Sequence, residues 1–307
     1  MSTATRVIPT TLTVREIAAL IDHSLLRPEL TDDDVCNGCA LAGQYGTWSV
    51  CVKPADVALA VQRLTGTRVV IGTVVGFPHG SSTMESKLFE TRRALDDGAR
   101  EIDMVINIGK LRGGKHDYVE EEIAQIVETT HSAQALVKVI LENAYLSDEQ
   151  IVEGSRLGER AGAEFIKTST GFAPGGATVH DLLLMAGATS PKVQIKAAGG
   201  VRTLDRLLEL VAIGVTRFGA TATAAILDQA TERSADGAAP HSGRTPRRRH
   251  CRRCDLLSSQ TVRARNLTLG GPVGSVAEQR GPTTASRCSE SQSVSCRHRS
   301  IARSRSD

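Results

Sequence analysis

The sequence predicts an α/β protein: a (β/α)8 TIM barrel with one extra N-terminal helix and a disordered C-terminal tail. Three observations lead there. Eight short β-type runs recur through the first 230 of 307 residues. Segments of helical period, with recognisable starts and stops, lie between them. Composition then changes abruptly, which divides the chain into a barrel domain, residues 1–230, and a tail, residues 231–307. Eight β/α units in about 230 residues suit a closed barrel. The rival, an open doubly wound sheet, lacks the G-x-G-x-x-G that should follow its first strand.

A helix over 14–20 comes first. The eight runs then follow as "IDHSLL" (21–26), "WSVCVK" (48–53), "RVVIGTVVGF" (68–77), "EIDMVINI" (101–108), "ALVKVILE" (135–142), "EFIKTST" (164–170), "KVQIKAA" (192–198) and "TRFGATA" (216–222). The second helix opens on Thr31 before three aspartates and stops at Gly46. The third starts at Pro54 and stops at Gly66. Another opens on a Ser147/Gln150 capping box and ends near Gly162. In "TLDRLLELVAIG", Leu204, Leu207, Leu208 and Val211 share one helical face.

Residues 231–307 hold fifteen Arg, no Lys and six acidic residues, so they carry about +9 while residues 1–230 carry about −6 of a net +3. Their Ser, Arg, Thr, Gly and Pro cannot bury enough surface to offset the entropy of ordering the backbone. No run of about eighteen apolar residues exists to span a membrane. The N-terminus lacks the charged start and apolar core of a secretory signal. Three of seven cysteines, Cys36, Cys39 and Cys51, lie in the barrel domain and imply no disulfide framework. A cytoplasmic setting is the simplest.

Strand parity carries the functional expectation. Parallel barrel strands bury both faces, one against helices and one inside the barrel. On the fourth strand Ile102, Met104 and Ile106 separate from Glu101, Asp103, Val105 and Asn107; on the fifth, Val137, Val139 and Leu141 separate from Lys138, Ile140 and Glu142. Lys167 shares its face with Phe165 and Ser169, and Lys196 shares its face with Gln194 and Ala198. Asp22, Cys51 and Lys53 follow the same rule. Ordinary barrels fill this interior with branched aliphatics. A self-satisfying ion network is the structural alternative, but it is a weak stabiliser for its desolvation cost. A reaction centre accounts better for the charges.

Lys167 and Lys196 stand on consecutive strands about 4.8 Å apart, which allows their amines to approach within about 5 Å. Like charges at that distance repel by roughly 3 kcal/mol at an effective dielectric of about 20. With desolvation, this brings one amine from about 10.4 towards 7. A neutral amine attacks carbonyls, and the resulting Schiff base acts as an electron sink for cleaving or forming the adjacent carbon–carbon bond. Asp103 is the inward carboxylate best placed to move protons on and off the enamine carbon. The glycine-containing loops "AAGGVRT" and "FGATAT" follow strands seven and eight, where barrels commonly bind phosphate.

These motifs, "IDHSLLRP", "SVCVKPADV", "VVGFPHGSST", "EIDMVINIGKL", "VKVILEN", "EFIKTSTGF" and "IKAAGGVRT", resemble the deoxyribose-phosphate aldolase family of class I aldolases, in the same order over about residues 14–228. The resemblance implies a lyase that reversibly cleaves 2-deoxy-D-ribose 5-phosphate to acetaldehyde and D-glyceraldehyde 3-phosphate in deoxyribose phosphate catabolism, with no cofactor and no metal. It implies Lys167 as the Schiff-base lysine, Lys196 as the lysine that perturbs it, Asp103 as the relay acid and Asp22 as a supporting carboxylate. For substrate and phosphate it implies Thr168, Gly171, Gly199, Gly200, Gly219, Thr221 and Cys51, the last read equally well as a small core residue. The partner implied is a small phosphorylated sugar, with no specific nucleic acid, no membrane, and a homodimer as the assembly considered.

Two features depart from the family. Its last strand typically runs into a Gly-Thr-Ser-Ser-Gly type loop, whereas this chain reads Gly219-Ala220-Thr221-Ala222-Thr223; losing one hydrogen bond to a charged group would weaken binding about ten- to hundred-fold. Family members also end near "AAILDQ", and a shifted reading frame is one origin for the Lys-free tail. The Arg clusters "RRRHCRR" and "RHRSIARSRSD" suit phosphate contacts but lack aromatic stacking partners. Cys36/Cys39 and Cys251/Cys254 have metal-ligand spacing without a second half-site. Another Schiff-base aldolase or transaldolase, or an inactive relative with a drifted phosphate loop, would share the barrel.

Overall fold

Each apolar run becomes a strand, and each strand hands over to a helix whose apolar stripe covers it. A computed structural model describes residues 11–235. Within them the order is α1 (Val14–Ala18), β1 (Ile21–Leu25), α2 (Asp32–Tyr45), β2 (Ser49–Val52), α3 (Val57–Leu64), β3 (Val70–Val75), α4 (Met84–Asp96), β4 (Glu101–Val105), a short α5 (Ile108–Arg112), α6 (His116–Ser132), β5 (Leu136–Ile140), α7 (Asp148–Arg160), β6 (Phe165–Lys167), α8 (Val179–Ala188), β7 (Gln194–Ala198), α9 (Leu204–Val211), β8 (Arg217–Ala220) and α10 (Thr223–Ala235). The strands form one closed parallel barrel in chain order, and β8 returns to β1 through Ile21↔Phe218 and Asp22↔Gly219. The predicted (β/α)8 architecture is the observed one.

Local signals explain the boundaries. Thr13 with Glu16, Thr31 with Asp34, and Ser147 with Gln150 form capping boxes at α1, α2 and α7, satisfying amides that a helix start leaves open. Gly46 closes α2 in the left-handed conformation. The first helix ends at Ala18, two residues before the predicted Leu20, because the backbone turns there into β1. Helix α10 continues through Thr231 to Ala235, so residues 231–235 extend the barrel rather than the tail. The rest of the predicted tail lies outside the described residues.

The predicted strands ran long at their C-terminal ends. Residues 106–107, 141–142 and 168–170 stay largely buried, so the strand-like run persists past the last ladder pair, but they belong to the loops at the barrel mouth, and Ile108 opens α5. That end carries the site in barrels of this type. Parity holds on both faces within the ladders, but Lys53, expected inward, lies past the end of β2, where its amine donates to Leu30 O and pairs with Asp56. Val50, Val52, Ile102, Met104, Val137, Val139, Ile166, Ile195 and Phe218 face outward into one core with α-helical residues such as Val35, Ile123, Leu157 and Leu207. Fully burying such a side chain stabilises by about 1.5–3 kcal/mol, and this outer layer lets the interior be polar. Among the described residues no helix is long and apolar enough to cross a membrane.

Candidate active site

Lys167 and Lys196 are direct partners across β6 and β7, and both amines converge on one oxygen. Asp103 Oδ2 accepts from Lys167 Nζ and from Lys196 Nζ, each at 2.7 Å. The two nitrogens are therefore no further apart than the sum of those bonds, which meets the distance set from strand spacing. Lys138, paired with Asp103 in register, donates to Asp103 Oδ1 at 2.8 Å and to Glu101 Oε2 at 2.5 Å. Asp22 completes the cluster. Its Oδ2 lies 2.6 Å from Lys196 Nζ, and its Oδ1 accepts from Ser49 Oγ at 2.7 Å and Arg217 Nη1 at 2.9 Å. All of these side chains are buried.

Burial is the main cause that holds the Lys167 amine below the ordinary lysine range; Asp103 opposes it and the Lys196 charge adds to it. Strand spacing alone assigns repulsion between the amines the larger share, whereas in the folded barrel desolvation leads. Lys196 goes the other way. Burial pulls it down, but Asp103 and Asp22 together hold it above the ordinary range, as an ammonium. Burial likewise opposes the ionised forms of Asp22 and Asp103, yet the surrounding lysines keep both well below the usual carboxylate range. Two lysines a strand apart thus have opposite protonation tendencies. The Lys167 amine leans toward its neutral form and the Lys196 amine toward its ammonium form.

Above the cluster opens a cavity of about 210 Å³, whose walls include Lys167, Thr170, Gly171, Gly199, Gly200, Gly219 and Thr221. Gly219 faces inward on β8, where an added Cβ would stand 3.3 Å from Ala198 Cβ and 3.6 Å from Lys196 Cε. Gly199, at φ +81, lets two loops meet backbone to backbone, since a Cβ there would lie 2.8 Å from Gly176 Cα. Thr168 does not line the cavity. It sits one residue off the parity of Lys167, and its hydroxyl bridges the β7 backbone, donating to Ala198 O and accepting from Ala198 N, both at 3.1 Å. Cys51 is buried beside the ionic cluster, and its thiol is pushed up to about 11 by burial and by Asp103, so it is a neutral small neighbour of the lysines.

Several residues of the site carried no role in the sequence reading. Lys138 and Glu101 have the inward parity, but the sequence shows no partner for them; Arg217, on the same face as Gly219, carries no local signal of its role. Arg217 lies over the Trp48 ring at 4.5 Å and the Phe165 ring at 5.0 Å, and Trp48 Nε1 donates to Glu101 Oε1 at 2.7 Å. At the mouth, Ser24, Arg27 and Arg202 also line the cavity, the arginines adding positive charge near the glycine loops. Glu142 accepts from the Thr170 amide and makes a short bond with the Thr170 hydroxyl, which in turn accepts from Phe172 N at 3.1 Å. Phe172 packs edge-on against Phe77, with centroids 5.3 Å apart.

Thr223, the last residue of the altered loop, is engaged elsewhere: its hydroxyl lies 2.8 Å from His23 Nδ1, fastening the start of α10 to β1. Cys36 and Cys39 are free thiols on α2, Cys39 in the core. Among the described residues no group of three or more His, Cys, Asp or Glu could hold a metal ion; Cys251, Cys254 and the Arg clusters lie outside them.

Comparison with known proteins points the same way as the geometry. The family model described as DeoC/LacD family aldolase matches residues 17–228. The chain is 44% identical over 217 residues to a deoxyribose-phosphate aldolase of Thermococcus gammatolerans, covering 70% of this chain and 96% of the relative. It is 47% identical over 211 residues to that of Bacillus mycoides, covering 69% and 94%. The structure of an Aeropyrum pernix deoxyribose phosphate aldolase, described as having a unique tetrameric structure, superposes with a TM-score of 0.66 at 29% identity, covering 71% of this chain and 92% of that one.

Proposed function

The chain belongs to the DeoC/LacD family of aldolases, and from that premise we propose that it cleaves 2-deoxy-D-ribose 5-phosphate reversibly, through a Schiff base on Lys167. The observation that carries the reading is the shared Asp103 oxygen: one amine held low in its basicity and one held as an ammonium meet on it, under a cavity large enough for a small sugar. No organic cofactor or metal is needed for this chemistry.

In this reading the neutral Lys167 amine adds to the C1 aldehyde, and loss of water leaves an iminium. The C3 hydroxyl gives up its proton, the C2–C3 bond breaks, and its electron pair enters the iminium to form an enamine. D-Glyceraldehyde 3-phosphate leaves; the enamine carbon C2 takes a proton, water hydrolyses the iminium, and acetaldehyde is released with the amine restored. Asp103 bridges both amines, so a proton passing between Lys196 and the reacting carbon crosses one oxygen. Asp22 holds Lys196 in place. The phosphate would rest on the Gly171, Gly199, Gly200 and Gly219 backbone, the Thr221 hydroxyl and the arginines of the rim, Arg27 and Arg202. A cytoplasmic homodimer is the setting proposed, and sedimentation would distinguish it from a tetramer like that of the Aeropyrum pernix enzyme.

Borohydride reduction in the presence of acetaldehyde is the test. An ethyl group fixed on Lys167, together with turnover of deoxyribose 5-phosphate, is the expected result. Reduction that labels another lysine and spares Lys167 would overturn the assignment, and a substrate panel separates this activity from other Schiff-base aldolases.

A further inference from the structure

The barrel interior beneath the cavity carries four cationic side chains, Lys138, Lys167, Lys196 and Arg217, and three carboxylates, Asp22, Glu101 and Asp103. Six of these seven groups balance as three pairs. Lys138 takes Glu101 and Asp103, Lys196 takes Asp103 and Asp22, and Arg217 takes Asp22 at 2.9 Å and Glu101 at 3.3 Å. Lys167 shares only an oxygen that Lys196 already occupies, so it is the cation in excess. We propose that Arg217, at the base of the barrel and outside the cavity walls, is a positioning residue that keeps the Lys167 amine without a counter-ion of its own, leaving it only the Asp103 oxygen it shares with Lys196, by taking up the charge of Asp22 and Glu101.

The connectivity explains how a residue that does not face the cavity acts on one that does. Lys138 and Lys196 are each shared between an upper carboxylate, Asp103, and the lower ones. Without Arg217, Asp22 and Glu101 are left with these two lysines alone, which draws them down and leaves Asp103 to hold a protonated Lys167. Trp48 and Phe165 sandwich the guanidinium, and Trp48 also orients Glu101. The remaining charged or titratable groups facing Lys167 do not supply a counter-ion. Cys51 on β2 is a neutral thiol, and Glu142, after β5, attracts Lys167 but forms no ion pair with it, because the Thr170 amide and hydroxyl bind its oxygens and burial raises its carboxyl.

This inference rests on Lys167 being the nucleophile, so its test uses two separate measurements. Competitive reductive methylation with formaldehyde and borohydride, read by mass spectrometry of the Lys167 peptide, titrates that amine whether or not it is catalytic; turnover of deoxyribose 5-phosphate reports the reaction. Arg217 stands two strand spacings from Lys167, about 10 Å. At an effective dielectric of about 20, a charge there moves a lysine titration by about one pH unit. Arg217→Met is expected to shift Lys167 labelling about one pH unit upward and to lower turnover about tenfold near neutrality, with recovery at higher pH. R217K is expected to keep the wild-type profile, and the double variant R217M/E101Q, which restores the charge balance, to return to it. Where R217M does not fold, Glu101→Gln alone, with Arg217 in place, is expected to move the profile the opposite way. An unchanged Lys167 titration in folded R217M, a shift in R217K as large as in R217M, or an unmoved profile in E101Q would overturn the proposal. A Lys167 that titrates as expected but no turnover of the sugar phosphate would instead refute the functional reading.

Discussion

Lys87→Met examines a charge pair that the reaction does not use. Lys87 on α4 and Glu122 on α6 are wholly buried and 2.7 Å apart; Lys87 also donates to Val105 O at 2.7 Å, and Glu122 accepts from Asn107 N at 2.9 Å. The pair thereby clamps the turn that follows β4, two residues beyond Asp103. For both partners burial outweighs their attraction, since the Lys87 amine is pushed down and the Glu122 carboxyl up. The pair as a whole is therefore not a strong stabiliser, but breaking it is costly. Removing one member of a buried pair costs about 3–5 kcal/mol, and for a domain of this size each kcal/mol is worth about 2–4 °C in melting temperature. K87M should melt roughly 6–20 °C below the wild type. The double variant K87M/E122M, which buries no lone charge, should recover most of that loss. Thermal unfolding followed by circular dichroism is the assay. A single variant within about 2 °C of the wild type, or a double variant no better than the single, would refute the reasoning.

Three further outcomes follow from the site and its supports. His23 is held down to about 4 by burial, so the unfolded chain takes up a proton near its ordinary value of about 6.5 while the folded chain does not. Stability should therefore fall between about pH 6.5 and 4, by up to about 3 kcal/mol, and His23→Gln should flatten that part of a urea-midpoint curve; an unaltered slope would count against it. Thr221→Ala should raise KM for the phosphorylated sugar about tenfold with little change in kcat, and an unchanged KM would remove Thr221 from the phosphate site. Glu142→Ala should free the Thr170–Phe172 wall and raise KM about tenfold while acetaldehyde is still trapped on Lys167, with Glu142→Gln closer to wild type; equal trapping and equal KM in both variants would show that Glu142 does not order the loop.

Strand order and strand faces were legible because a parallel barrel imposes period two on chains buried on both sides. Once Ile102, Met104 and Ile106 were placed outward, Asp103 had to face inward, and consecutive strands then brought Lys167 beside Lys196. The same rule also puts Thr168, next to Lys167, on the opposite face, where its hydroxyl meets the β7 backbone; family resemblance had placed it among the substrate contacts. Glu101 has the inward parity but no local sign of its partner, and Arg217 begins β8, where a charge reads as a solvated end. Their burial depends on Trp48 covering the base of the barrel, a contact across 53 residues from Glu101 that no local pattern carries. Likewise, the relative weight of desolvation and repulsion on Lys167 required the positions of Asp103 and Lys196 together.

Division of labour between the two faces of one strand can be tested on adjacent residues. Ile166 points out from β6 into the core, where an added Cβ on Gly158 of α7 would fall 2.4 Å from its Cδ1; Lys167 points in. Ile166→Ala removes a tightly seated side chain and should cost about 2–5 kcal/mol, leaving the titration of Lys167 and the trapping of acetaldehyde intact at temperatures where the protein stays folded. Lys167→Met should do the reverse. If the buried amine is neutral, the substitution removes no charge and relieves a desolvated polar group, so stability should change by less than about 1 kcal/mol while trapping and turnover vanish. A Lys167→Met protein that unfolded as readily as Ile166→Ala would mean that Asp103 holds a protonated Lys167 in a stabilising ion pair, and the inward face would then serve the fold rather than the reaction.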